Sequence, residues 1–157
     1  MRPAPEAHDQ CLKLKAIDQD DLHVIAACLQ DALVPLSEMA FLKDEGRFLA
    51  AFTRFRREEA RDGDRKLMQC QCVLNVEGVE SVRYRGIDPP LGRVRLELLT
   101  ILPEPDPDGG VAITLLFAGD AAIQLRVAKI DARLQDFGEC WPARAVPRHA
   151  VVAQGDG

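Results

Sequence analysis

LMQCQCVLNVEGVESVRYRG, residues 67–86, is the stretch whose reading decides the fold. Met68, Cys70, Cys72, Leu74 and Val76 fall on every second position, and Gln69, Gln71, Asn75 and Glu77 fall between them. A period of two is the mark of a strand with one buried and one wet face. In VESVRYRG the alternation resumes, with Val82 and Tyr84 on one face and Arg83 and Arg85 on the other. Two cysteines one residue apart can also be half of a metal site. A tetrahedral site needs two further ligands, and Cys11, Cys28 and Cys140 lie scattered without a CxxC partner. On the apolar face a cysteine acts as a small hydrophobe. The expectation is therefore core packing for Cys70 and Cys72, with neither metal nor disulfide.

Working outward, IDPPLG at 87–92 reads as a turn, because two prolines fix φ and a glycine follows. RVRLELLTI then places Val94, Leu96 and Leu98 inward and Arg93, Arg95 and Glu97 outward, with a switch of face near Leu99 that suggests a bulge. GVAITLLF and AAIQLRV, joined by AGD, read as a hairpin. Towards the N-terminus, SEMAFL and RFLAAFTRF flank KDEG, a turn in which Gly46 takes positive φ. LKLKAI at 12–17 is a candidate short strand. Asp18 is a candidate N-cap, and Leu22, Ile25, Leu29 and Leu33 recur at helical spacing until Pro35. At the other end Ile130, Leu134, Phe137 and Trp141 form a helical stripe, with Gly138 as a stop.

These elements predict one α+β domain over 11–147, between disordered tails at 1–10 and 148–157. Its centre is an antiparallel, about seven-stranded, partly open barrel or sandwich. An N-terminal helix precedes it and a C-terminal capping helix plugs it. That order of elements looks like a pleckstrin-homology-like barrel, and a fold does not fix a function.

The 157 residues carry a net charge of −5, which argues against a general nucleic-acid binder. No apolar run is long enough for a membrane span, and MRPAPEAHDQ lacks a signal-peptide core. An odd number of cysteines, five, fits a reducing compartment, and a cytoplasmic location is expected.

The run of segments LKLKAIDQDDLHVIAACLQDALVPLSEMAFL, FTRFRRE, VESVRYRGID, LELLTI and AKIDARLQDFGECWPARAVPRH resembles an uncharacterised bacterial domain-of-unknown-function family, found mainly in proteobacteria. The resemblance covers roughly 12–149. It implies a stand-alone cytoplasmic protein with no known activity, cofactor or catalytic residue.

No phosphate loop, HExxH or GxSxG occurs. Cys140 with His149 is the one nucleophile–base pair to weigh, and no third group orients it. No catalytic, cofactor or metal residue is assigned. The leading functional reading is a non-catalytic module for an unknown protein or peptide partner, bound along a sheet edge or beside the terminal helix. The alternative is a phosphate-, anion- or RNA-binding module using an arginine face, and an enzyme of unknown reaction comes last. Arg83, Arg85, Arg93 and Arg95 are the candidate surface, expected on adjacent strands joined by IDPPLG. Arg54 and Arg56 are expected on the same outer side.

Overall fold

The cysteine alternation forms strand β5 (Met68–Glu77), and its inward residues Cys70, Cys72, Leu74 and Val76 are buried. The structure, a computed structural model, describes residues 12–56, 68–87 and 95–142, without the side chains of 56 and 139–142. The expected tails at 1–10 and 148–157, and the turn IDPPLG beyond Ile87, lie outside the described residues. Before β5 come β1 (Lys13–Ala16), α1 (Gln19–Cys28), β2 (Leu33–Pro35), β3 (Met39–Leu42) and β4 (Arg47–Arg56). After it come β6 (Val79–Arg85), β7 (Arg95–Pro105), β8 (Val111–Phe117), β9 (Ala121–Val127) and β10 (Ala132–Pro142).

Every described strand pairing is antiparallel. The order is β1-β10-β5-β4-β2-β7-β8-β9-β6, with β3 beside β4. Among the described residues the sheet is therefore open, with β1 and β6 at its ends, and it has ten strands where about seven are expected from the sequence. Two of the additional strands, β2 and β10, come from segments read as helical.

The helix α1 begins as the sequence indicates. The Asp18 carboxylate accepts from the Asp21 amide at 2.8 Å, and Asp21 accepts from the Ile17 amide at 3.1 Å, a reciprocal cap. Leu22, Ile25 and Ala26 bury its inner face, and Leu29 caps its C-terminal end. It stops at Cys28, not at Pro35. Asp31 takes φ 70°, its amide donates to the Leu98 carbonyl at 2.9 Å, and the chain leaves as β2. Val34 is buried there between β4 and β7. Leu33 lies four residues past Leu29, so the apolar period runs on across a real break.

The expected C-terminal helix is corrected outright. Residues 132–142 form β10, inserted between β1 and β5. Ala132 and Leu134 are buried, while Phe137, part of the supposed stripe, is 45% exposed. The likeness to a pleckstrin-homology barrel rested on that helix and loses its support here.

The chain passes from one half of the sheet to the other at Gly78, φ 70°, between β5 and β6. The Val79 amide donates to the Gly46 carbonyl at 2.8 Å and fixes that crossing. The core fills from both halves: Phe48 and Phe52 of β4, Leu98 of β7, Leu115 and Phe117 of β8 and Ile123 of β9 are buried, with Ile25 of α1 among them. The face switch expected near Leu99 is present as an irregular register between Leu98 and Thr100.

Candidate functional site

Two places concentrate polar chemistry. The first is the outer face of the terminal strand β6. Arg83 and Arg85 are exposed, two residues apart, and pair in register with Gln124 and Ala122 of β9. Thr114 of β8 stands next in line behind Gln124. Together with Tyr84 these residues line a groove of about 400 Å³. The opposite parity of β6 faces inward: Val82 lies opposite Leu125, and Tyr84 opposite the buried Ile123. Tyr84 remains 48% exposed because it stands near the end of an edge strand. Partial burial raises the pKa of its phenol.

Charge on this face is unevenly satisfied. Arg126, one strand inward on β9, is held by Asp106 at 2.6 Å and stands 3.8 Å from Asp108. Among the described residues neither Arg83 nor Arg85 forms an ion pair. Glu80 sits in the bulge between Val79 and Ser81, and Glu97 belongs to β7; neither closes on these arginines.

The expectation of four arginines on adjacent strands is not met. Arg95 is exposed on β7, and β8 and β9 separate β7 from β6. Arg95 lies opposite Pro35 of β2 instead. Arg93 lies outside the described residues, as does the side chain of Arg56. The short IDPPLG spacing suggested a hairpin, but the chain crosses over two strands. Arg83 and Arg85 are the part of the predicted surface that stays together.

The second place is internal. Arg54, expected on the outer side, is buried, its side chain only 3% exposed. Its Nε donates to Oδ1 of Asp136 at 2.9 Å and its Nη2 to Oδ2 at 2.9 Å, a bidentate pair. The Leu12 amide also donates to Oδ2 at 2.9 Å, and the Asp136 amide donates to the Leu12 carbonyl at 3.0 Å. Arg54 stands opposite Cys70 in the β4–β5 register, and Asp136 stands opposite Cys72 in the β10–β5 register. The guanidinium therefore reaches diagonally over β5. Cys72, which stands opposite Asp136, is a small, fully buried side chain.

The period-two signal for this pair was present. Arg54 shares parity with Phe48, Ala50 and Phe52, and Asp136 shares parity with Ala132 and Leu134, all buried. A charge at an inward position of each strand is the trace of a buried ion pair.

Cys72 lies under the pair. Burial, and then the negative charge of Asp136, push its thiol up to about 12, against a smaller opposing effect of Arg54. A thiol held protonated in this way is a poor nucleophile and metal ligand. Cys70 departs from expectation, because it is disulfide-bonded. Its partner is neither Cys28 nor Cys72, which are thiols, and lies outside the described side chains. An odd cysteine count is compatible with one such bridge. The Cys140 side chain and His149 lie outside the described residues. A second groove, of about 450 Å³, runs beside α1 over His23, Val24, Cys28 and Phe55, with Arg54 at its wall. Among the described residues no helix is long and apolar enough to cross a membrane.

The family described as a protein of unknown function (DUF2948) matches residues 12–149, and the chain belongs to it. No curated protein and no solved structure matches the chain.

Proposed function

We propose that this member of the family is a non-catalytic binding module whose edge strand β6 takes up an extended, acidic segment of a partner protein. One observation carries the reading: the strand that ends the sheet also carries Arg83 and Arg85, exposed and without an ion pair among the described residues. An edge strand presents unpaired main-chain groups that an added strand can satisfy, and side chains beside it set the choice of partner. Arg suits carboxylate because its planar fork donates two hydrogen bonds at once.

A second copy of the chain is a poor occupant. Antiparallel self-pairing centred on Tyr84 sets Arg83 against Arg85 of the other copy, and like charges directly opposite are destabilising. Edge charges also deter such pairing in general, so the same two residues favour an acidic partner and disfavour self-association.

The test is fluorescence anisotropy of a labelled Glu-rich peptide with the full chain, with inorganic phosphate and a single-stranded RNA as competitors. Expected are binding that weakens as salt rises, and loss of binding in an Arg83→Glu, Arg85→Glu double variant whose melting temperature is nearly unchanged. Preferred binding of phosphate or RNA supports the anion-module reading instead. Absence of binding to every acidic peptide removes the proposal.

A further inference from the structure

We infer that the segment taken up by β6 alternates acidic, apolar, acidic over three consecutive residues. This rests on the binding reading above and deepens it by naming the pattern of the partner. Arg83 and Arg85 share one face of β6, and Tyr84 between them belongs to the other. Residues two apart on a strand stand roughly 6.5–7 Å apart, and a strand added at the edge lies about 4.8 Å away with the same period. Its side chains therefore fall in step with those of β6. Two of them arrive beside the arginine pair, and the one between arrives on the Tyr84 side.

The two faces ask for different chemistry. On the outer face Gln124 and Thr114 stand behind Arg83, so a carboxylate there meets a guanidinium with further donors within the same groove. Arg126, on the same face of β9, is engaged by Asp106, whereas Arg83 and Arg85 form no ion pair among the described residues. On the inner face Tyr84 is half exposed beside the buried Ile123, and its ring gains from an aliphatic or aromatic neighbour that covers it. The pattern reads the same in either direction, so it holds for parallel and antiparallel addition alike.

The decisive measurement uses the full chain and a set of synthetic peptides. The first has a Glu-Leu-Glu centre, the second the same residues permuted to Glu-Glu-Leu, and the third a Glu-Leu-Glu centre with alternate backbone N-methylation, made in both phases. The alternating peptide is expected to bind about ten-fold or more tighter than the permuted one, since cross-strand pairs on both faces are lost together. One N-methylation phase is expected to abolish binding and the other to spare it, because only alternate amides face the edge. Tyr84→Ala is expected to weaken the Glu-Leu-Glu peptide and leave a Glu-Ser-Glu peptide unchanged. Equal affinity for alternating and permuted peptides overturns this inference and leaves the acidic-partner reading standing. Tolerance of both N-methylation phases overturns strand addition. No binding of any peptide overturns both.

Discussion

At the scale of single residues, the Arg54–Asp136 pair dominates the interior. The Asp136 carboxylate accepts three hydrogen bonds, two from Arg54 and one from the Leu12 amide, and both charged side chains are nearly inaccessible to water. Removing one partner leaves a buried charge uncompensated, whereas replacing both by apolar residues removes the desolvation cost as well. Asp136→Ala is therefore expected to destabilise the chain by about 3–5 kcal/mol, and Arg54→Leu with Asp136→Leu by much less. Denaturant midpoints of the three proteins check this. A double variant as unstable as the single one would show that the pair itself supplies the stability.

Cys72 gives a second residue-scale test, with a pH signature. Its pKa is raised in the folded chain, to about 12 from 9.0. Below pH 9 the thiol is protonated in both states and the folded chain keeps its full stability. Above it, only the unfolded chain loses the proton, so stability falls as pH rises, up to the folded pKa. The slope approaches about 1.4 kcal/mol per pH unit between those limits. Cys72→Ala is expected to be less stable at pH 8 and to lack this component of the alkaline decline. Chemical denaturation of both proteins at pH 8 and pH 10.5 compares them directly.

At the scale of elements, legibility depended on which periods a segment satisfies. The strands β4 to β9 were visible because their apolar residues alternate and their turns carry glycine, as at Gly46. The segment that forms β10 was ambiguous. Ile130 and Leu134, four apart, fit both a helix and a strand, and an exposed Phe137 beside a buried Asp136 tipped the balance towards a helix. An inward charge shows only in its shared parity with apolar neighbours, as Arg54 shares that of Phe48, Ala50 and Phe52, and a single sequence does not reveal the partner that offsets it. The same blindness placed Arg54 outside. The β6 arginines were legible because both neighbouring parities obeyed the rule, but their separation from Arg95 depends on a crossover that spacing alone does not reveal. The two readings of β10 make opposite demands. In the strand, Leu134→Ala should cost about 2–5 kcal/mol, and Phe137→Ala under about 1 kcal/mol, as expected for a surface position. Comparable losses at both positions would restore the helical stripe. Gly86, at the end of β6, gives a further element-scale test. It takes φ 70°, and a Cβ there would lie 2.6 Å from the Asp120 carbonyl oxygen. Gly86→Ala is expected to lower the melting temperature and to loosen the β6–β9 edge, read as faster amide exchange along β6.

At the scale of the whole molecule, the sheet is one ladder in which removing an inner strand strips one side of each of its neighbours. The last described strand in the chain is such an inner strand. β10 pairs with β1 on one side and with β5 on the other, so the C-terminal segment joins the N-terminal one to the rest of the sheet. A chain ending at Val127 loses those two ladders together, leaves β1 without its only strand partner among the described residues, and strips Arg54 of Asp136. Buried main-chain groups of β5 would face water or stay unpaired, and an unpaired buried polar group costs about 1–3 kcal/mol. Several such groups together exceed the 5–15 kcal/mol by which a domain of this kind is ordinarily stable. The truncated chain is therefore expected to show no cooperative thermal transition and to bind a dye specific for exposed apolar surface. Calorimetry and dye fluorescence check both. Asp136→Ala in the full-length chain separates the lost ion pair from the lost ladders, since it removes the first and keeps the second. A 1–127 chain that melts cooperatively would mean that the half ending in β6 holds its fold without β10, and that the binding edge is independent of the other half of the sheet.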